Sequence, residues 1–414
     1  MPPHGCTGNT GTAPVRYAVL VKFPVIGVVG GGQLARMMAP EAVNLGLELR
    51  ILAEAPDVSA VAAVPLAPVG DYRDLATLRR FAEGVDVLTF DHEHVPNEHL
   101  HALIADGVNV QPRPAALIHA QDKLVMREAI AGLGLPNPQW AAVESVADLV
   151  AFGDRIGWPV VLKTPRGGYD GKGVRIVDDA GAAADCADWF ASGTLLVEEK
   201  VAFARELSAL VARTPGGEAR AWPIVHTIQV DGVCDEVIAP APGLDPAAAA
   251  AARDAALRIA EAFGVTGVMA AELFETPGVG VGFVINELAM RPHNTGHWTM
   301  NGSVTSQFEQ HLRAVLDLPL GDTSALAEVT VMKNYLGGAN QDPFTAFAAA
   351  MEAEPRAKIH SYGKSVRPGR KIGHVNVVGT RGESPESVRR SAERVAAMIR
   401  DGEPRAQPTK EPGR

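Results

Sequence analysis

The segment between residues 25 and 52 constrains the fold of this chain more than any other. An apolar run over Val25–Gly30 leads into consecutive glycines, a helical pattern continues to about Leu45, and a second apolar run covers Leu47–Leu52. A strand, a glycine turn, a helix and a second strand in this order predict parallel strands joined by a crossover helix. The run Val85–Phe90 predicts another strand of that sheet. The chain therefore begins as an α/β unit.

The glycine turn itself, G-x-x-G-G-G-Q-L from Gly27, is typical of a backbone that approaches a ligand at a helix N-terminus. A dinucleotide site is one interpretation, because Glu54 follows the second strand as a ribose-binding acid would. However, the glycines do not keep the G-x-G-x-x-G frame. A turn that binds phosphate or another small ligand, and a plain tight turn, both remain open.

From Trp158 onward the pattern changes to short strands. Apolar or alternating runs predict strands at Pro159–Lys163, Val174–Val177, Leu195–Glu199, Leu207–Ala212, Pro223–Val230, Val268–Phe274 and Val281–Leu288. Helices are predicted over Ala180–Phe190, between about Ala247 and Phe263, and over Ser384–Arg400 with Ser384 as its cap. The pattern of the later strands indicates antiparallel pairing, so an α+β arrangement is predicted for this part of the chain.

The loop between Lys163 and Val174 contains four glycines and two cations, Arg166 and Lys172. Such a loop predicts a flexible lid whose amides bind phosphate oxygens while Lys163 neutralises their charge. It is not a Walker A loop, because no G-K-[ST] opens a helix. A bland β-hairpin turn is the alternative, although such a turn does not require four glycines.

Two acids, Glu272 and Glu287, lie inside apolar strand patterns that a Gly/Pro-rich turn connects. A carboxylate in such a strand is costly unless it is paired or binds a metal. Because the two strands form a hairpin, the acids could face each other across the ladder. Two converging carboxylates suit Mg²⁺, which completes its coordination with nucleotide phosphates. The alternative is that each acid pairs with an arginine.

Two later loops are rich in hydrogen-bond donors. The first, Arg291–Thr299, follows the second acid directly and predicts a substrate-binding loop. The second carries four cations within eight residues, broken by Pro and Gly; these cations form the basic cluster: Lys364, Arg367, Arg370 and Lys371. The basic cluster predicts a phosphate clamp, with a solvated basic loop as the alternative.

Composition excludes several classes of function. The formal net charge of −10 argues against a nucleic-acid partner that needs a broad basic face. The sequence has no apolar run long enough to span a bilayer, and its first 22 residues lack the pattern of a signal peptide. Three widely spaced cysteines, Cys6, Cys186 and Cys234, follow no metal spacing. A cytoplasmic protein with no membrane partner is therefore expected.

Taken in this order, the segments resemble the ATP-grasp superfamily and, within it, the 5-(carboxyamino)imidazole ribonucleotide synthase family of microbial purine synthesis. The resemblance extends over about Val25 to Val378 and rests on these motifs: G-G-G-Q-L-A-R-M, T-F-D-H-E-H-V, Q-D-K-L-V-M-R-E, K-T-P-R-G-G-Y-D-G-K-G-V, V-E-E-K-V, N-E-L-A-M-R-P-H-N-T-G-H-W and V-R-P-G-R-K-I-G-H. Two positions depart from the family pattern: Asp91 replaces an expected Glu, and Met290 replaces an expected Pro.

The resemblance implies an α/β plus α+β chain with an ATP-grasp fold, a Rossmann-like preATP-grasp domain before it and a small C-terminal domain after it. The expected divisions are a disordered extension over 1–22, the Rossmann-like domain over 23–119, the lid subdomain with the glycine loop over 120–202, the core with the metal acids over 203–325, the C-terminal domain over 326–400 and a tail over 401–414.

The resemblance also implies site residues. Those for ATP are Lys123, Lys163, Gly168, Tyr169, Asp170, Gly171, Lys172, Gly173 and Val174 around the phosphates, Glu198, Glu199, Lys200 and Val201 at adenine, Glu206 at the ribose, and His226, Asn286 and Glu287 completing the pocket. Glu272 and Glu287 would hold Mg²⁺, or Mn²⁺ in its place. The residues for the ribonucleotide are Gln33, Arg291, His293, Lys364, Arg367, Arg370 and Lys371. Lys163 and Arg291 are the expected catalytic residues.

The implied reaction joins bicarbonate to 5-aminoimidazole ribonucleotide with ATP, through carboxyphosphate, and the implied assembly is a homodimer. A first alternative is another ATP-grasp ligase, such as a formate-dependent glycinamide ribonucleotide transformylase. A more distant one is an NAD-dependent oxidoreductase, which would leave the glycine loop, the acid pair and the basic cluster without a role. A non-catalytic nucleotide-binding module would not need two metal carboxylates.

Overall fold

A computed structural model of the chain describes residues 22–168 and 173–402. The expected N-terminal extension up to residue 21, the tail from residue 403 and four loop residues, Tyr169, Asp170, Gly171 and Lys172, lie outside the described residues. No helix within the described ranges is long and apolar enough to cross a membrane.

The N-terminal part of the described chain is a three-stranded parallel sheet with flanking helices. Its elements are β1 (Val25–Val29), α1 (Gln33–Asn44), β2 (Glu48–Leu52), α2 (Leu75–Ala82), β3 (Val87–Phe90), α3 (Asn97–Ala105) and α4 (Pro114–Gln121). The strand order β2-β1-β3, parallel throughout, confirms the predicted α/β opening. All residues of β1 are buried, which explains why its sequence is apolar without alternation.

The turn after β1 needs glycine for two different reasons. Gly30 has a φ of +105°, which a residue with a side chain rarely adopts. Gly32 precedes α1, and a Cβ there would collide with the carboxylate of Asp91. The turn therefore brings backbone amides close to an acid that lies at the end of β3.

The next part, which is expected to be the lid subdomain, is a four-stranded antiparallel sheet of order β4-β7-β5-β6 within the described residues. Its elements are α5 (Lys123–Gly132), β4 (Trp140–Val143), α6 (Val146–Ile156), β5 (Val160–Lys163), β6 (Val174–Val177), a 3-10 helix (Ala182–Ser192) and β7 (Leu195–Glu199). The Asp122 side chain caps α5 by accepting hydrogen bonds from the amides of Leu124 and Val125. This cap fixes Lys123 at the first position of the helix.

The rest of the described chain forms a nine-stranded antiparallel sheet and its helices. The elements are β8 (Arg205–Arg213), β9 (Ala219–Ala221), β10 (Val225–Val230), β11 (Val233–Ala239), α7 (Pro246–Ala262), β12 (Gly267–Glu275), β13 (Phe283–Ala289), a 3-10 helix (Asn294–Gly296), α8 (Thr299–Gly302), α9 (Gln307–Val315), β14 (Thr330–Leu336), a 3-10 helix (Pro343–Ala346), α10 (Phe347–Ala353), β15 (Lys358–Ser361), β16 (Lys371–Val378) and α11 (Pro385–Asp401). The strand order is β13-β12-β8-β10-β11-β14-β16-β15, and β9 pairs with β8.

The segment expected as a separate C-terminal domain continues this large sheet. Its strand β14 pairs with β11, and β16 and β15 extend the sheet beyond it. Helix α11 packs its apolar stripe against this end: Val388, Ala392, Val395 and Ile399 are all fully buried. Ser384 caps α11, as the sequence predicts, by accepting a hydrogen bond from the amide of Ser387. The expected division at residue 326 thus falls between strands of one sheet.

Candidate active site

The candidate site is a cavity of about 1200 Å³ where the three parts of the chain meet. This volume exceeds the space that a single drug-sized ligand needs and can accommodate two substrates. Lining residues predicted from the sequence are Gln33, Lys123, Lys163, Gly168, Val174, Glu198, Glu199, Lys200, Val201, Glu206, Glu272, Asn286, Glu287, Arg291, His293 and Lys371. Loops of the parallel sheet, strands of the lid and the β12–β13 hairpin therefore each contribute one wall.

The acids Glu272 and Glu287 are direct register partners on β12 and β13. The ladder shifts register immediately after Glu272, and such a bulge twists a strand locally. Glu287 Oε1 accepts a hydrogen bond from Lys123 Nζ at 2.6 Å, and Glu272 Oε1 lies 3.6 Å from His293 Nε2. The partners are a lysine and a histidine where the alternative interpretation expects arginines.

Electrostatics at this hairpin favour the binding of a cation. Burial, together with the charges of Glu287 and Glu206, raises the pKa of Glu272 to about 8. Burial lowers the pKa of His293 to about 3, so its imidazole is neutral beside the acid. Among the described residues, no group of three or more His, Cys, Asp or Glu side chains could hold a metal ion. Two facing carboxylates therefore fit an ion such as Mg²⁺ or Mn²⁺ that takes its other ligands from a nucleotide.

A buried ion network lies behind Lys163. Lys163 Nζ is 2.7 Å from Glu198 Oε2, and Arg127 Nε donates to Glu198 Oε1 at 2.5 Å. Burial opposes ionisation of Glu198, but the charges of Lys163 and Arg127 outweigh it and lower the pKa of the carboxyl group. Because the Glu198 side chain is committed to these cations, this position offers a nucleotide its backbone. Arg127 is not among the predicted site residues, although it belongs to the Q-D-K-L-V-M-R-E motif and lies on the buried face of α5.

At the expected ribose end of the cavity, Glu206 lines the wall and burial raises its pKa. The rings of Phe203 and Phe274 stack nearby with centroids 4.4 Å apart. His226 lies on β10 and, within the described part of the chain, is not one of the residues that line the cavity. Burial lowers the pKa of His226 to about 4, which is typical of a neutral histidine packed within a sheet.

The described ends of the glycine loop form a hairpin between β5 and β6. Thr164 donates its amide hydrogen to the carbonyl of Gly173 at 2.9 Å, and Gly173 has a φ of +74°. Gly168 and Val174 line the cavity, whereas Gly173 does not among the described residues. The loop therefore begins and ends at the cavity wall.

On the opposite side, Arg291 is held by Glu93. Arg291 Nε donates to Glu93 Oε2 at 2.9 Å, and the amide of Met290 donates to Glu93 Oε1 at 2.8 Å. Glu93 also lines the cavity, and its signal in the sequence is its place in the T-F-D-H-E-H-V motif. The fixed carboxylate sets the direction in which the guanidinium of Arg291 points.

The basic cluster divides in the structure. Lys371 lines the cavity, and Lys364 Nζ donates to Gln33 Oε1 at 2.5 Å, beside the cavity wall. Arg370 donates to the hydroxyl of Ser365 at 2.7 Å. Lys364, Arg367 and Arg370 are not among the described residues that line the cavity, and the contact of the whole basic cluster with the ribonucleotide stays a prediction.

The first glycine turn does not present the features of a dinucleotide site. Glu54 Oε2 accepts a hydrogen bond from the amide of Gly31 at 3.0 Å, so this acid occupies the turn itself. Asp91 Oδ1 accepts from the amide of Ala35 at 2.7 Å. A cofactor pyrophosphate would compete with both acids for these amides. The aspartate that departs from the family pattern is thus packed against the turn.

Comparison with known protein families gives the class of the chain. Three domain families match the chain in turn. The ribonucleotide synthetase preATP-grasp domain matches residues 23–121, the ATP-grasp domain matches residues 128–308, and the phosphoribosylaminoimidazole carboxylase C-terminal domain matches residues 330–388. The chain is thus an ATP-grasp protein with a preATP-grasp domain.

Individual relatives narrow this class. The chain is 53% identical over 363 residues to the N5-carboxyaminoimidazole ribonucleotide synthase of Mycobacterium tuberculosis. The aligned region covers 86% of this chain and 84% of the relative. The enzyme of Corynebacterium ammoniagenes with the same name is 52% identical over 384 residues, with 91% and 92% covered. The chain belongs to the N5-carboxyaminoimidazole ribonucleotide synthase family.

Solved structures agree with this assignment. The N5-carboxyaminoimidazole ribonucleotide synthetase of Thermus thermophilus superposes with a TM-score of 0.81 at 36% identity, covering 92% of this chain and all of that one. The Aspergillus clavatus enzyme in complex with ADP and 5-aminoimidazole ribonucleotide has a TM-score of 0.81 at 28% identity, with 91% and 99% covered.

Proposed function

We propose that this chain catalyses the ATP-dependent carboxylation of 5-aminoimidazole ribonucleotide by bicarbonate in purine biosynthesis, forming N5-carboxyaminoimidazole ribonucleotide, ADP and phosphate. The observation that carries the proposal is the single cavity, in a chain of this family, that brings together Lys163, the acid pair and Arg291. A nucleotide and a phosphorylated amine can therefore meet in one cavity.

The first stage needs bicarbonate oxygen to attack the γ-phosphorus of ATP, giving carboxyphosphate and ADP. Phosphoryl transfer depends chiefly on placement and charge neutralisation. Lys123 at the start of α5 and Lys163 at the end of β5 both line the cavity. We assign both lysines to the phosphates, with the amides of the glycine loop closing over them.

A divalent ion would be held by Glu272 and Glu287. When bound, Mg²⁺ or Mn²⁺ would supply positive charge that neutralises the phosphates. Lys123, which bonds Glu287 in this structure, can shift toward the nucleotide when an ion takes over that carboxylate, because the lysine chain is flexible.

The second stage transfers the carboxyl group to the exocyclic amine of the ribonucleotide. Carboxyphosphate hydrolyses readily, so it would need protection from bulk water, which a loop closing over the cavity would provide. Arg291 is oriented by Glu93 and supplies positive charge near the transferred group. Gln33, His293, Lys364 and Lys371 are the proposed contacts of the ribonucleotide, with the lysines at its phosphate.

The test is phosphate release from Mg·ATP in buffer freed of CO₂, with bicarbonate, the aminoimidazole ribonucleotide, both or neither. We expect rapid release with both substrates and carboxylation of the amine detected with labelled bicarbonate. Release that formate supports and bicarbonate does not would instead identify a formyl-transferring ligase. Release with glycinamide ribonucleotide in place of the aminoimidazole substrate would contradict the proposed acceptor.

A cytoplasmic homodimer is also part of the proposal, on the strength of the family resemblance. Sedimentation of the purified chain at micromolar concentration gives the test of the assembly: a mass near twice 43.5 kDa supports a dimer, and a single chain mass contradicts it.

A further inference from the structure

Arg127 is the most deeply enclosed charge in the vicinity of the site. Its side chain is fully buried, with an exposure of 0%. Its guanidinium donates to Glu198 at 2.5 Å, to the carbonyls of Ile285 and Asn286 at 2.8 and 2.7 Å, and to Asn137 Oδ1 at 3.1 Å. Arg127 on α5 thereby joins the lid strand β7 to the strand β13 that carries Glu287.

Arg127 does not itself reach the substrates. Among the described residues it is not part of the cavity wall, whereas its partner Glu198 and the next cation, Lys163, both are. Glu198 shares its two carboxylate oxygens between these cations, with Oε1 on Arg127 and Oε2 on Lys163. Arg127 can therefore act on a bound nucleotide through Glu198 and Lys163, and its bonds to the carbonyls of Ile285 and Asn286 give it a second connection, to β13.

The charges of this triad set what Lys163 can offer to a phosphate. Arg127 and Lys163 contribute two positive charges and Glu198 one negative charge, so the triad carries a net charge of about +1. Without Arg127, the buried carboxylate would have Lys163 as its counter-ion and the pair would be neutral. A buried carboxylate left with one partner holds that partner strongly, because separating them in a low-dielectric site is costly.

We propose that Arg127 is a positioning residue: it neutralises Glu198, so that the charge of Lys163 remains available to the nucleotide phosphates, and it ties the lid to the strand of Glu287. This inference rests on the nucleotide site proposed above. It predicts that the charge balance of the triad, more than the presence of an arginine, determines nucleotide affinity.

The test compares four variants with the wild type by calorimetric titration with Mg·ADP, with thermal unfolding measured in parallel. Arg127→Met should weaken binding at least about tenfold, as expected for loss of an effective charge at a phosphate site. The double variant Arg127→Met/Glu198→Gln removes both members of the buried pair and should restore affinity to within about fivefold of the wild type. Arg127→Lys keeps the charge and should also bind within about fivefold.

Arg258→Met is the matched control, because this exposed arginine on α7 likewise donates to a backbone carbonyl, that of Leu133. It should bind Mg·ADP as the wild type does. If the double variant binds as poorly as Arg127→Met, the role of Arg127 is packing alone and the inference is wrong. If Arg127→Met does not fold, the double variant and Arg127→Lys decide the matter by the same criteria.

The outcomes also separate this inference from the proposed function. A wild type that does not bind Mg·ADP removes the nucleotide site, and the inference fails with it. A wild type that binds, together with an Arg127→Met variant that binds equally well, overturns the inference and leaves the nucleotide site intact.

Discussion

The two ends of the cavity differ in how their charged side chains are held. At the proposed nucleotide end, Glu272 and Glu287 lie on paired strands, and the register of the ladder places them opposite each other. At the proposed ribonucleotide end, Lys371 begins β16 and lines the cavity, whereas Arg370, one residue earlier, donates to Ser365 in the preceding loop. Pairing in a ladder fixes which residues of two strands face each other. Neighbouring residues of a loop have no such constraint and can point in different directions.

The largest effect on activity is expected when an acid of the β12–β13 pair is replaced. Glu287→Gln removes one of two facing carboxylates and the charge that Lys123 now pairs with. We expect phosphate release to fall by about a hundredfold or more at saturating Mg²⁺, because a site with few protein ligands depends on each of them. Steady-state assays with and without added Mn²⁺ measure this loss.

Glu128→Gln is the matched control, since Glu128 is an exposed acid on α5. It should retain full activity and a melting temperature close to that of the wild type. Near-normal turnover of Glu287→Gln would show that register pairing alone does not identify the metal acids. The proposed contrast between the paired strands at one end of the cavity and the loop at the other would then have no functional basis.

The next largest effect is expected at Lys371, which can be compared with Arg370 in the same basic cluster. Lys371→Ala should raise the KM for the ribonucleotide about ten- to a hundredfold, since a charge-assisted bond to phosphate contributes roughly 1.5–3 kcal/mol. The KM for ATP should change by less than about threefold. Initial rates over both substrate concentrations provide the two constants.

Arg370→Ala is the informative neighbour, because Arg370 lies one residue away and bonds Ser365. We expect its ribonucleotide KM to stay within about threefold of the wild type. If Arg370→Ala has the larger effect, the loop rearranges toward the substrate, and the orientation of the cluster in this structure is not the one that binds phosphate.

The predictable parts of the fold are those with local signals. The apolar run at Val25, the capping Ser384 and the alternating strands each indicate their element directly, and the structure confirms them. Strands β14 and β15 are not predicted, because their short apolar runs lack a clear alternation or turn boundary. Their membership in the large sheet depends on pairing with distant strands, which no local pattern encodes.

Prediction of the site is limited in the same way, because contacts between distant parts of the chain have no local signal. The strand hairpin makes the meeting of Glu272 and Glu287 predictable, since both acids belong to one local unit. Arg127 and Glu93 act through residues 71 and 198 positions away, respectively, and only the packed chain brings them there. His226 on β10 is not among the described residues that line the cavity, and its role in the nucleotide pocket stays a prediction.

A further group of charges in the C-terminal segment is committed to internal pairs. Arg356 bonds both oxygens of Glu354, at 2.9 and 3.0 Å, and reaches Glu383 at 2.7 Å. The hydrogen bonds from Arg356 lower the pKa of each of these carboxyl groups to about 2. The three residues connect the end of α10 with the turn before α11. Among the described residues Lys371 lines the cavity and Arg356 does not, although both are cations of the same segment.

The smallest expected effect follows from this pairing. Arg356→Met should lower the free energy of unfolding by about 1–3 kcal/mol at pH 7 and leave both KM values unchanged. Because the folded pKa values of Glu354 and Glu383 lie below the ordinary value of 4.5, their stabilisation is complete above about pH 5 and is lost as the pH falls toward 2. Urea unfolding of the wild type and the variant should therefore converge as the pH falls through this range, while the exposed Arg381→Met control follows the wild type throughout. A stability difference that is the same at pH 3 and pH 7 would show that Arg356 stabilises the segment through packing of its side chain and not through its charge.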